Sequence, residues 1–106
     1  MAADVAKGVS SSPLKQKLTD DLKQAMRQGE KVRVSVIRLV LAAIKNAEIA
    51  RGDSLEDSDI LGILAKEVRQ RQESIDAFRQ GDRAELVAQE EAELAVLQAY
   101  LPRQLT

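Results

Sequence analysis

The 106-residue sequence contains no cysteine and no histidine. The first absence excludes disulfides, thiolate metal sites and cysteine nucleophiles. The second removes the commonest metal ligand and the usual general base near neutral pH. It also rules out a carboxylate-bridged di-iron bundle of the Glu-x-x-His type. Phe78 and Tyr100 are the sole aromatics, so stacking platforms for single-stranded nucleic acid are scarce. No apolar run approaches the roughly 18 residues of a membrane span. The N-terminus lacks the charged-then-apolar order of a secretory signal, and the expected address is the cytoplasm. No nucleophile elbow, glycine-rich phosphate loop or metal-ligand spacing occurs, and no cofactor is expected.

Hydrophobic residues make up 44% and charged residues 31%, which is the composition of a folded domain. The length suits a single small one. The net charge of −1 hides an asymmetry. Residues 14–51 hold nine Lys or Arg against four acids, whereas residues 52–106 hold six against twelve. Two readings follow: the halves neutralise each other by packing, or the basic half faces a polyanion.

Residues 1–12 are small and polar and read as a disordered tail. Ser12-Pro13 has the form of a helix start, a hydroxyl cap followed by proline at the first helical position. A first helix is expected over 13–28, with Leu14, Leu18, Leu22, Ala25 and Met26 inward and Gly29 as its stop. A second is expected over about 30–51, closed by Gly52. Its face of Val36, Ile37, Val40, Leu41, Ile44 and Ala47 is broadened by Leu39 and Ala43. A third spans about 57–80, with Ile60, Leu64, Val68, Ile75 and Phe78 inward and Gly81 ending it. Asp82, with Glu85 three residues on, suggests a capping box for a fourth helix running to about Ala99. Proline at 102 ends that helix. No strand pattern appears. The expected fold is all-α, a four-helix bundle or a compact orthogonal helical array.

The acidic cluster Glu90, Glu91 and Glu93 is a poor catalytic candidate. Neighbours on a helix diverge by about 100° and do not converge on one ligand. Lys31, Arg38 and Lys45 are more informative. Spaced seven apart, they line one stripe of the second helix, flanked by Ser35, Ala42 and Asn46. Long cations beside small residues allow close approach of a phosphate backbone. The alternatives are pairing with the acids of the fourth helix, or plain solvation. Lys66, Arg69 and Arg71 form a second candidate strip, where the third helix is polar on most faces. Asn46 is unfavourable in mid-helix and is expected to satisfy a buried partner. Gly62, inside the third helix, is expected to admit a close neighbour.

Residues 14–106 resemble the GatB/YqeY family. The resemblance is carried by Leu41-Ala42-Ala43-Ile44-Lys45-Asn46-Ala47-Glu48-Ile49 and by Lys66-Glu67-Val68 leading to Arg71-Gln72-Glu73-Ser74-Ile75. Phe78-Arg79 and Glu90-Glu91-Ala92-Glu93-Leu94 leading to Tyr100-Leu101-Pro102 complete it. It implies a YqeY-like helical domain over 13–106, similar to the C-terminal region of the B subunit of tRNA-dependent amidotransferase. There the region engages the tRNA body, while the chemistry lies elsewhere in the complex. The family label, carbon–nitrogen ligase with glutamine as amido-N-donor, belongs to that complex. Members usually continue beyond the Leu-Pro-x-Gln-Leu stretch into a second small helical domain, expected to be absent here. Their third helix often begins with a hydroxyl cap, where this sequence has Glu56.

The expected function is that of a non-catalytic, tRNA-associated helical module. Lys31, Arg38, Lys45, Lys66, Arg69 and Arg71 are its candidate nucleic-acid contacts. The expected partners are tRNA and amidotransferase or other protein subunits, with no membrane. The rival expectation is a protein–protein adaptor using the acidic fourth helix or the polar middle of the third.

Overall fold

A computed structural model describes residues 12–102. The expected tail at 1–11 and the last four residues lie outside that range. The described residues form four α-helices and no strand: α1 (Pro13–Gln28), α2 (Lys31–Arg51), α3 (Asp57–Gln80) and α4 (Ala84–Gln98). They divide into two compact units, the first ending at Ile60 and the second beginning at Leu61.

In the first unit, α1 and α2 pack as a helical hairpin. Ser12 caps α1 as its sequence suggests. Its hydroxyl oxygen accepts from Lys15 N–H at 3.0 Å and its hydroxyl donates to Asp57 Oδ1. The same carboxylate oxygen accepts from Leu14 N–H at 3.2 Å. One acid thereby ties the start of α1 to the start of α3. At the other end of α1, Gly29 is left-handed, with φ 70°. Gly29 N–H donates to Met26 C=O and Glu30 N–H to Ala25 C=O, a Schellman closure.

Leu18 and Ala25 of α1 meet a core of Val36, Ile37, Val40 and Ile44 from α2, all buried. Full burial of each such Val or Ile contributes roughly 1.5–3 kcal/mol. That outweighs the helix-propensity penalty of a β-branched residue, at most about 0.7 kcal/mol. The apolar face is narrower than its sequence implies. Leu39 and Met26 are exposed, at 42% and 51%. Leu55, in the connection after α2, is buried instead.

Glu56 precedes α3 and offers no hydroxyl cap. The capping is supplied from inside the helix, where Asp59 Oδ2 accepts the Glu56 N–H at 3.0 Å. This is the N3 half of a capping box.

In the second unit, Leu64, Ile75 and Leu97 are buried, and Val68, Phe78, Leu86, Val87 and Leu94 are half-buried. The turn between α3 and α4 departs from expectation. Asp82 does not cap α4, whose N-cap is Arg83 without any side-chain cap bond. Asp82 is left-handed, with φ 61°. Its N–H donates to Arg79 C=O and the next N–H to Phe78 C=O. It thus occupies the position that glycine fills after α1, and Gly81 precedes it.

Candidate functional site

Burying Val36, Ile37, Val40 and Ile44 turns the opposite face of α2 to solvent. Lys31, Arg38 and Lys45 all lie on that face and are exposed, as are Ser35, Ala42 and Asn46. The only acid within α2 is Glu48, half-buried and engaged by Lys15. Every exposed charged side chain of α2 is therefore a cation. Lys31 and Lys45 form no ion pair among the described residues, and neither does Arg38. Arg38 Nη2 instead lies 4.0 Å from Met26 Sδ. These two residues, with Gly29, Lys31, Val34 and Ser35, line an open groove of about 560 Å³ at one end of the stripe. Sequence reasoning missed this groove, because it placed Met26 in the core.

Most of the other charges of the first unit are spent on its own architecture. Lys15 Nζ contacts both Glu48 oxygens at 3.0 and 3.2 Å, and Glu48 Oε2 also accepts from Leu55 N–H. The Lys15 bond, helped by Leu55, holds the Glu48 carboxyl below its ordinary range against the opposing effect of burial. Arg51 makes a two-armed contact with Asp59 at 3.0 and 3.3 Å. That contact, together with the Glu56 N–H, lowers Asp59, and Asp59 in turn raises Arg51. Arg33 lies 2.9 Å from Glu30 and 3.7 Å from Asp21. Lys23 and Arg27 of α1 are also exposed and without an ion pair among the described residues, but the cations at 31, 38 and 45 share one helical stripe.

The second strip does not survive intact. Lys66 and Arg69 are exposed, and Arg69 lines a groove of about 530 Å³ with Val68, Gln72, Gln98 and Leu101. Arg71 is different. Only 14% of its side chain is exposed. Its Nη1 lies 2.7 Å from Glu67 Oε1 and its Nε 3.3 Å from Glu93 Oε1. The second contact is an ion pair without hydrogen-bond geometry. Two carboxylates thus hold Arg71 in place and withdraw it from any anion outside.

Two acids of the acidic cluster are likewise engaged. Glu93 faces Arg71, and Glu91 Oε2 accepts from Arg79 at 2.7 Å. No group of three or more metal-ligating side chains gathers among the described residues. Two structural expectations fail. Asn46 is exposed and has no buried partner to satisfy. Gly62 is exposed as well, and a Cβ there would meet nothing within 4 Å.

A family profile described as Yqey-like protein matches residues 15–106. The similar proteins include "Altered inheritance of mitochondria protein 41, mitochondrial" of Eremothecium gossypii, 41% identical over 85 residues. The proteins of the same name from Vanderwaltozyma polyspora and Saccharomyces cerevisiae are 38% and 36% identical over the same length. In each case the match covers 79% of this chain and 46% of the relative. The chain thus spans about half the length of these relatives. Their names correct one expectation. A cytoplasmic address was expected, but the relatives are named as mitochondrial proteins. No helix among the described residues is long and apolar enough to cross a membrane.

Proposed function

Since the chain belongs to the YqeY-like family, we propose that it is a non-catalytic helical module that associates with tRNA through the cationic edge of α2. Lys31, Arg38 and Lys45 contact phosphates along one stripe, and Lys66 and Arg69 supply a separate, weaker contact. Arg71 supports α3 and α4 instead of touching RNA. In an amidotransferase setting the module has an accessory role and leaves amide transfer to other subunits.

One observation carries this reading: the outer face of α2 presents three cations free of ion pairs among the described residues and exposes no acid. Side chains that stabilise a fold electrostatically have partners, as Lys15, Arg51 and Arg71 do here. Long cations left without partners and separated by small residues suit a phosphate backbone.

The test is titration with unmodified tRNA at several salt concentrations. Three neutralised phosphates give a log–log slope of roughly −2 to −3. The double reversal Arg38→Glu, Lys45→Glu abolishes binding and leaves helicity unchanged. Undiminished affinity in that variant refutes the assignment.

A further inference from the structure

The outer face of α2 carries more than charge. Val32, Leu39 and Asn46 recur every seven residues, and Ser35, Ala42 and Ile49 do the same three residues later. In heptad terms the first three are a positions and the second three d positions. All six are exposed. Among the described residues, Val32, Leu39 and Ile49 are three of the four exposed large hydrophobic side chains, at 41%, 42% and 69%. The cations Lys31, Arg38 and Lys45 fall on the g positions beside this seam. Phosphate binding does not call for an aliphatic seam in coiled-coil register, so the seam is an additional feature that shares its flanking cations with the charge stripe.

We infer that α2 docks an amphipathic partner helix with an apolar seam flanked by Asp or Glu. Three observations fix that chemistry. The apolar a and d residues bury against a second seam. The cations at g require acids at the facing flank of the partner, its e positions in a parallel pair or its g positions in an antiparallel one. Asn46, at an a position, pairs with a polar residue opposite and sets the register, a well attested use of an a-position Asn in such a seam. This gives Asn46 the role that the interior does not.

A second copy of α2 does not meet these requirements. An antiparallel pair sets Lys31, Arg38 and Lys45 against their own kind. A parallel pair sets them against the e positions Val36, Ala43 and Ala50, which carry no charge. Val36 is moreover buried in this chain's own core.

The probe is a synthetic three-heptad peptide with Leu at a and d, Asn at its third a position and Glu at every e and g. Its own acids prevent it from pairing with itself. A twin peptide carries Lys at e and g. The full chain binds the Glu peptide and not the Lys peptide. Leu39→Lys and Ile49→Lys, made separately at exposed sites, each weaken that binding roughly tenfold or more. Both variants add positive charge, so tRNA affinity measured on the same samples holds or rises. A loss confined to the peptide distinguishes this surface from the phosphate stripe, and a failure of tRNA binding leaves the peptide result standing. The inference is overturned if the Glu peptide does not bind, if both peptides bind equally, or if binding ignores both substitutions. Self-association of the chain that Leu39→Lys abolishes overturns it too.

Discussion

Glu48 Oε2 accepts the backbone N–H of Leu55 at 3.2 Å, joining the last turn of α2 to the connection that follows it. The same carboxylate takes Lys15 from α1, so one side chain holds three segments of the first unit. Its pKa lies below the ordinary 4.5, chiefly through the Lys15 bond. A carboxyl lowered by folding binds protons more readily in the unfolded chain. Its stabilisation is therefore complete above the unfolded pKa and is lost as pH falls through the folded one. Asp59, lowered mainly by Arg51, acts in the same direction. Urea midpoints for the chain and for Glu48→Gln should differ near pH 7 and converge as the pH falls below the ordinary 4.5 and through the lowered folded-state pKa. A gap that stays constant across that range contradicts the role given to Glu48.

Arg71 and Arg79 each meet an acid on α4, yet their substitutions should differ in cost. The Arg71 group is largely shielded, with 14–18% of each side chain exposed, whereas Arg79 and Glu91 are 59% and 48% exposed. Arg71→Ala strands two shielded carboxylates and should destabilise by roughly 1–3 kcal/mol. Arg79→Ala should cost at most about 1 kcal/mol, and less in high salt. Chemical denaturation of both variants provides the comparison. Equal losses would mean that burial does not govern these pairs.

Asp82 closes α3 in a left-handed conformation that glycine adopts without steric penalty. Asp82→Gly should therefore stabilise the chain, by roughly 0.5–1 kcal/mol. A midpoint of thermal unfolding raised by a few degrees is the expected reading. A lowered midpoint would show that the Asp82 side chain contributes more than its backbone costs.

Gly62 sits in the second turn of α3 with open space where a Cβ would be. Gly62→Ala should stabilise by about 0.5–1 kcal/mol, the helix-propensity difference alone. Circular dichroism melts would detect it. No gain would indicate a contact at Gly62 that this chain does not make by itself.

These sites also mark what the sequence discloses. Ser12-Pro13, Gly29 and Gly52 are local signals, and the helix ends they announce are where the structure has them. Asp82 was misread because Asp suits a cap and a left-handed position alike, and only the backbone path decides between them. Met26 and Leu39 fit a helical apolar period but lie at the margin of the buried stripe, whose width is set by the neighbouring helix. Arg71 looked like its neighbours Lys66 and Arg69, because its second acid, Glu93, is distant in sequence. The spacing of Lys31, Arg38 and Lys45 was legible. Their lack of ion-pair partners was not, since for Lys45 it depends on Glu48, three residues on, being drawn inward to Lys15 and Leu55.

That lack of partners makes the three cations individually measurable. A Lys or Arg that neutralises one phosphate contributes about one unit to the salt slope of tRNA binding. Lys31→Gln, Arg38→Gln and Lys45→Gln should each lower the slope by roughly one and weaken binding to all tRNAs alike. None of them should shift the unfolding midpoint appreciably, since all three side chains are exposed and break no ion pair among the described residues. Arg71→Gln should do the reverse, lowering stability while leaving the slope unchanged. If Arg71→Gln lowers the slope and the α2 variants do not, the contact surface lies on α3 rather than on α2.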